Sequence, residues 1–138
     1  MTNFQRVCGT VQEMIVGCGV DMIEIARIAE ALDRYGERFS RRVFLPAEVA
    51  YCRRKRNAEE SFAARFAAKE AAAKALGTGI HNGVGWRDIE VVRASSGKPS
   101  VVFHGRAAAR ARLLGVGNTA MSITHTRAHA MAYVVLET

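Results

Sequence analysis

The apolar positions of this chain change period several times, and each change marks an element. Residues 14–20, MIVGCGV, form a short apolar run that ends at Asp21. Such a run reads as a buried strand with Gly17 and Gly19 on one face. Strand glycines often mark the close approach of another backbone or a ligand. Residues 23–35 switch to a helical period through Ile25, Ile28, Ala29 and Leu32, and the pattern stops before Gly36. Pro46, Ala47 and Glu48 open a short helix toward Arg53, with proline favoured in the first turn. Residues 57–76 carry the clearest helical signal. Asn57 can cap them, Glu60 follows three residues later as in a capping box, alanine is abundant, and Gly77 stands just past the end. Phe62, Phe66, Ala73 and Leu76 give this helix an apolar side.

The rest of the chain is shorter-ranged. Residues 77–85 hold Gly77, Gly79, Gly83 and Gly85 and read as a loop. Residues 89–93 and 100–104 are two strands around the turn Ser95-Ser96-Gly97-Lys98-Pro99. Residues 106–114 suit a short helix packed by its Ala and Leu face, and 120–124 with 130–136 make a closing strand pair joined around 125–129. The predicted order is β-α-α-α-β-β-α-β-β. This is a single α+β domain over residues 14–138, mainly antiparallel sheet packed on a long central helix. Residues 1–13 lack this patterning and are expected to be a flexible N-terminal extension.

Length and composition agree with one domain. A chain of 138 residues with 49% hydrophobic side chains can bury a sizeable core without disulfide staples. Cys8, Cys18 and Cys52 are odd in number and show no metal spacing, so they read as reduced thiols of a cytoplasmic protein. No signal peptide is apparent, and no run approaches the ~18–20 apolar residues of a membrane span.

The charge is lopsided. The formal net charge is +7, and Arg34, Arg38, Arg41, Arg42, Arg53, Arg54, Lys55 and Arg56 are opposed only by Glu37 and Glu48. Arginine is the better fork for phosphate and carboxylate, and such a patch draws an acidic partner. It can equally be a solvated face. Nucleic acid is not favoured, because aromatics are few and no zinc-finger spacing, RNP pattern or basic-zipper heptad occurs.

Four constellations can carry chemistry. Asp21 follows the Gly-x-Gly strand and is read either as a metal ligand or as the N-cap of the next helix. Glu70 and Lys74 share a helical face in the favourable order for an ion pair. Between residues 67 and 76 the only other charge is Lys69, and charges on a mostly apolar, buried helix must be paired or bind an ion. Ser122 and Thr124 lie on one face of a strand that ends at His125 and Thr126, a set suited to phosphate or simply a satisfied polar end. Gly97-Lys98-Pro99 is the fourth, or only a hairpin turn. Cys52 sits in a basic run, but no histidine stands at a recognisable spacing from it.

In order along the chain, these residues resemble one family. Gly17-Cys18-Gly19-Val20-Asp21 with Ile25 and Arg27 is similar to the opening motif of the bacterial holo-[acyl-carrier-protein] synthases, the short 4′-phosphopantetheinyl transferases. The stretch from Phe62 through Arg65, Phe66, Lys69, Glu70 and Lys74 to Ala75 is similar to their central motif. Gly97-Lys98-Pro99 and Ser122-Ile123-Thr124-His125 resemble their last two motifs.

The resemblance implies transfer of the phosphopantetheine arm of coenzyme A to a serine of apo-acyl carrier protein, with release of adenosine 3′,5′-bisphosphate, in support of fatty acid biosynthesis. It implies Mg²⁺ held by Asp21 and Glu70, with Glu70 and Lys74 catalytic. Arg65, Lys69, Lys74, Lys98, Pro99, Thr124, His125 and Thr126 are the expected coenzyme A contacts. Arg27, Arg34 and Arg38, which recur at seven- and four-residue spacing near one helical face, are with Arg41 the expected dock for the acidic carrier. The resemblance further implies a homotrimer with sites at subunit interfaces. The rival from another class is a non-enzymatic basic α+β module that binds RNA or the ribosome through the arginine patch.

Overall fold

The structure, a computed structural model, describes residues 14–138; the extension expected at 1–13, with Cys8, lies outside the described residues. Strand β1 (Ile15–Glu24) opens the fold and runs past Asp21, because Met22, Ile23 and Glu24 keep pairing with the last strand. Helix α1 (Ile25–Tyr35) buries Ile25 and Ile28 and ends at Gly36, whose φ of 56° is a conformation glycine enters without strain. A short helix absent from the predicted order follows, α2 (Glu37–Val43). Its apolar residues Phe39 and Val43 are scattered among arginines, which hides the period. Next come α3 (Pro46–Arg53) and α4 (Ala58–Ala75), the latter capped by Asn57, whose side chain accepts from the Glu60 amide at 3.2 Å. A 3₁₀ turn (Trp86–Asp88), β2 (Ile89–Arg93), β3 (Pro99–Phe103), α5 (Gly105–Leu114), β4 (Asn118–His125) and β5 (His129–Glu137) complete the chain.

The strands form two antiparallel sheets, β1-β5-β4 and the hairpin β2-β3. Helix α4 runs through the centre, with Ala67, Ala68, Ala71, Ala72, Ala73 and Ala75 all buried. The closeness of β1 to α4 follows from the strand glycines. A Cβ at Gly17 would land on the carbonyl of Ala75, and one at Gly19 on the carbonyl of Ala71. Small residues on both elements let their backbones touch. One apolar cluster fills the space between α4, the two sheets and α5; a second joins α1, α2, α3 and the first half of α4, where the Phe44 and Phe62 rings lie 5.1 Å apart. The outer face of the three-stranded sheet stays uncovered. Val20 is paired with Tyr133 and Met22 with Met131, and all four side chains are exposed, Met22 to 61%.

Candidate active site

Asp21 caps nothing. It lies inside β1 opposite Ala132, and α1 begins after Glu24 without a side-chain cap. Since Val20 and Met22 face outward, Asp21 faces α4. There its Oδ1 lies 3.1 Å from Lys74 Nζ, which also donates to the Val20 carbonyl at 3.0 Å. Lys74 is therefore tied to Asp21 across the β1–α4 contact.

Glu70, one helical turn before Lys74, shares this place. Partial burial pushes its carboxyl above the ordinary carboxylate value, and the negative charge of Asp21 pushes it further; Lys74 and His81 pull the other way. Two carboxylates from distant segments thus repel each other beside one lysine, an arrangement that favours a cation. Among the described residues no third His, Cys, Asp or Glu completes a metal cage. Two carboxylates with the remaining positions left to water and substrate oxygens suit Mg²⁺, which is rarely held by an all-protein cage.

A second polar site begins one turn and a half earlier on α4. Arg65 is 2% exposed, its guanidinium lies 4.0 Å over the Tyr51 ring, and its Nε has no hydrogen-bond partner among the described residues. It lines a cleft of about 550 Å³ together with Lys55, Arg56, Arg93 and His125. The acid on this cleft is Glu60, whose Oε1 lies 3.3 Å from His125 Nε2. A buried guanidinium with a free donor, ringed by cations, is built for an anion such as phosphate.

Residues 17–134 match the profile of the 4′-phosphopantetheinyl transferase superfamily. The chain belongs to this superfamily. The holo-[acyl-carrier-protein] synthase of Koribacter versatilis is 52% identical over 124 residues, covering 90% of this chain and 99% of that one. The synthase of Solibacter usitatus is 54% identical over the same shares. Among solved structures, the Neisseria meningitidis holo-[acyl-carrier-protein] synthase superposes with a TM-score of 0.83 at 31% identity, covering 91% of this chain and all of that one. The Bacillus anthracis synthase, solved in complex with CoA (3′,5′-ADP), matches with a TM-score of 0.76 at 37% identity, covering 91% of this chain and 98% of that one.

The other positions expected from the transferase motifs are distributed unevenly. Lys69 does not face either site. It is fully buried and paired with Glu48 at 2.7 Å, the acid-paired role open to a charge on an apolar helix. Burial lowers its ammonium below the ordinary lysine value, with Glu48 opposing. Thr126 Oγ1 accepts from the Ala128 and His129 amides at 3.2 and 3.1 Å, holding the β4–β5 turn. Thr124 pairs with Met131 and so shares the exposed outer sheet face, opposite in sense to His125. Lys98 and Pro99 sit at the β2–β3 hairpin, whose Arg93 reaches the Arg65 cleft.

Arg27 and Arg34 are exposed on α1, but Arg38 belongs to α2, beyond the break at Gly36, so one continuous helical face does not carry all three. Arg41 pairs with Glu37 at 3.2 Å on the surface. Sequence reasoning placed Lys55 and Arg56 only in the basic patch that draws an acidic partner and left Arg93 unassigned. The first two were visible as a basic run at the end of α3, whereas Arg93 carries no local signal. Cys52 is buried, its thiol pushed up by desolvation, which suits an inert core residue.

Proposed function

We propose that the protein transfers the 4′-phosphopantetheine group of coenzyme A to a serine of an apo-acyl carrier protein, releasing adenosine 3′,5′-bisphosphate, and that it uses Mg²⁺. The observation that carries this reading is the meeting of Asp21 and Glu70, from β1 and α4, beside Lys74. Asp21 and Glu70 would hold the metal. When bound there, Mg²⁺ neutralises the pyrophosphate of coenzyme A and stabilises the leaving phosphate.

The chain's own residues do the rest. Lys74, hydrogen-bonded to Asp21 and the Val20 carbonyl, fixes the carboxylate and lends its charge to a phosphate on the same face. Glu70 also holds a water that relays the proton of the attacking serine to solvent. The Arg65 cleft receives the 3′-phosphate end of a coenzyme A. Arg65 and Glu70 stand about 7.5 Å apart along the axis of α4 but about 140° apart around it, so the two polar sites open on different sides of one helix.

The acidic carrier docks on Arg27 and Arg34 of α1 with Arg38 and Arg41 of α2. The uncovered face around Val20, Met22, Met131 and Tyr133 is the surface on which three copies associate. That association would bring Thr124 and the hairpin residues Lys98 and Pro99 toward a neighbour's coenzyme. The activity resides in residues 14–138. No described helix is long and apolar enough to cross a membrane. The proposed reaction runs in the cytoplasm, where Cys18 and Cys52 would stay reduced.

Nucleotide release tests the reading. Chromatography of a mixture of the protein, coenzyme A, Mg²⁺ and apo-carrier protein should show adenosine 3′,5′-bisphosphate appearing only when all four are present. Asp21→Ala should stop it while the fold persists. Release that continues at the parental rate in Asp21→Ala at limiting Mg²⁺ would remove the metal assignment.

A further inference from the structure

Helix α4 carries Glu70 in its second half, where little in its surface tells it how to sit; its large anchors, Phe62 and Phe66, lie in the first half. Its buried alanines surround the axis rather than forming a stripe. Between Ala67 and Ala75 every apolar side chain is alanine, so packing in this half specifies rotation and axial position only weakly. One residue of slip turns a helix by about 100° and moves it by about 1.5 Å. Either displacement would take Glu70 away from Asp21. The Gly17 and Gly19 contacts fix the distance of β1 from the C-terminal half of α4, but glycine against alanine is itself a smooth surface.

Away from β1, the buried polar residue in this half of the helix is Lys69. Its ammonium has three donors, and each has an acceptor: Glu48 Oε1 at 2.7 Å, the Trp86 carbonyl at 3.1 Å and the Ile89 carbonyl. Glu48 is closed in the same way. Its Oε1 also accepts from the Leu45 amide and its Oε2 from the Val91 amide, each at 2.8 Å. The pair thus joins α4 to the start of α3, the 3₁₀ turn and β2, with no donor of Lys69 left for a ligand.

Glu70 is the next residue along the helix. We infer that the Lys69–Glu48 pair is a positioning element: it sets the rotation and register of α4 so that Glu70 meets Asp21. This rests on the reading of Asp21 and Glu70 as the metal-holding carboxylates.

A positioning role separates from a stability role by experiment. Replacing a buried ion pair with apolar residues is often neutral or stabilising, whereas removing one partner strands a charge. The variants are therefore the doubles Glu48→Met/Lys69→Met and Glu48→Gln/Lys69→Met. Mn²⁺ serves as the probe, with the free ion read by electron paramagnetic resonance in the presence of coenzyme A. Thermal unfolding and carrier-transfer kinetics are measured alongside.

A double variant should keep a cooperative transition near the parental Tm and bind Mn²⁺ about 10–100-fold more weakly, the range typical of groups that orient metal ligands. Its kcat should fall with little change in KM for the carrier. Ile28→Ala, a core substitution on α1 that touches none of the pair's hydrogen bonds, should lower Tm without moving Mn²⁺ affinity. Parental Mn²⁺ affinity in a folded double variant would overturn the inference, as would failure of both doubles to fold, since the pair would then be a stability element. If the parent itself binds no Mn²⁺ with coenzyme A, the metal reading fails first and takes the inference with it.

Discussion

Glu70 works at a cost to the fold that carries it. Its carboxyl binds a proton more tightly in the folded protein than in the unfolded chain, because it is partly buried and faces Asp21. Protonation therefore favours the folded state, and the ionised form that a metal needs is the less stable one without metal. Glu70→Gln should raise Tm at neutral pH, measured by calorimetry without divalent ions, while abolishing transfer. That gain should shrink as the pH falls through the raised Glu70 pKa. Activity should fade at a higher pH than an ordinary carboxylate would dictate, because metal binding requires the deprotonated form. Asp21→Asn should move the Glu70 titration, followed by carboxyl NMR, back toward the ordinary value. An unmoved titration would show that the two groups do not face each other. At this scale the sequence was informative where a motif isolates a residue. Asp21 after Gly-x-Gly and Glu70 between two lysines were legible. The role of Lys69 was not, because its partner Glu48 lies in another helix and only the fold brings them together. The free donor of Arg65 was equally invisible, since burial of an arginine cannot be read from its neighbours in the chain.

Elements were more legible than residues wherever one period ran unbroken. Asn57, the alanine run and Gly77 marked α4 nearly to its ends, and Pro46 marked α3. The errors came where charge interrupts the pattern. Helix α2 has two apolar residues among three arginines, and its absence from the predicted order led Arg38 to be counted with α1. Strand β1 was cut short at Asp21, because a carboxylate looks like a strand end, although β5 pairs with it as far as Glu24. The contact between β1 and α4 is the hinge of the site, since it brings Asp21 to Lys74. Gly19→Ala places a methyl against the Ala71 carbonyl and within 3 Å of the Ala75 amide nitrogen and Lys74 Cβ. Neither backbone can yield without moving the strand. The substitution should cost about 3 kcal/mol, at the upper end for overpacking, and lower Tm on the order of 10 °C. Thermal unfolding checks the stability, and Mn²⁺ affinity checks the coupling to the site. A variant with parental values in both would mean that β1 and α4 are not in backbone contact.

For the whole molecule, the two surfaces with the clearest imbalance are the apolar outer sheet and the arginine-rich side formed by α1 and α2. The charge on the second was visible in the sequence, but its distribution over two helices with a break between them was not. If this surface receives an acidic carrier, Arg27→Glu/Arg34→Glu should raise KM for the carrier several-fold and leave coenzyme A binding, measured by calorimetry, unchanged. The parental KM should also climb with ionic strength, as the Debye length shrinks from ~10 Å at 0.1 M to ~3 Å at 1 M. An unchanged KM in the charge-reversed protein would move the dock elsewhere. A steep, salt-dependent affinity for RNA with no response to carrier would favour a nucleic-acid role instead.

The most direct test of the central claim is the intact mass of an apo-acyl carrier protein after incubation with this protein, coenzyme A and Mg²⁺. The account predicts a single mass gain equal to one phosphopantetheine group on the carrier's serine, lost when Mg²⁺ is chelated and when Asp21→Ala or Glu70→Ala replaces the parent. A carrier whose mass stays unchanged, under conditions where a known synthase modifies it, would contradict the account.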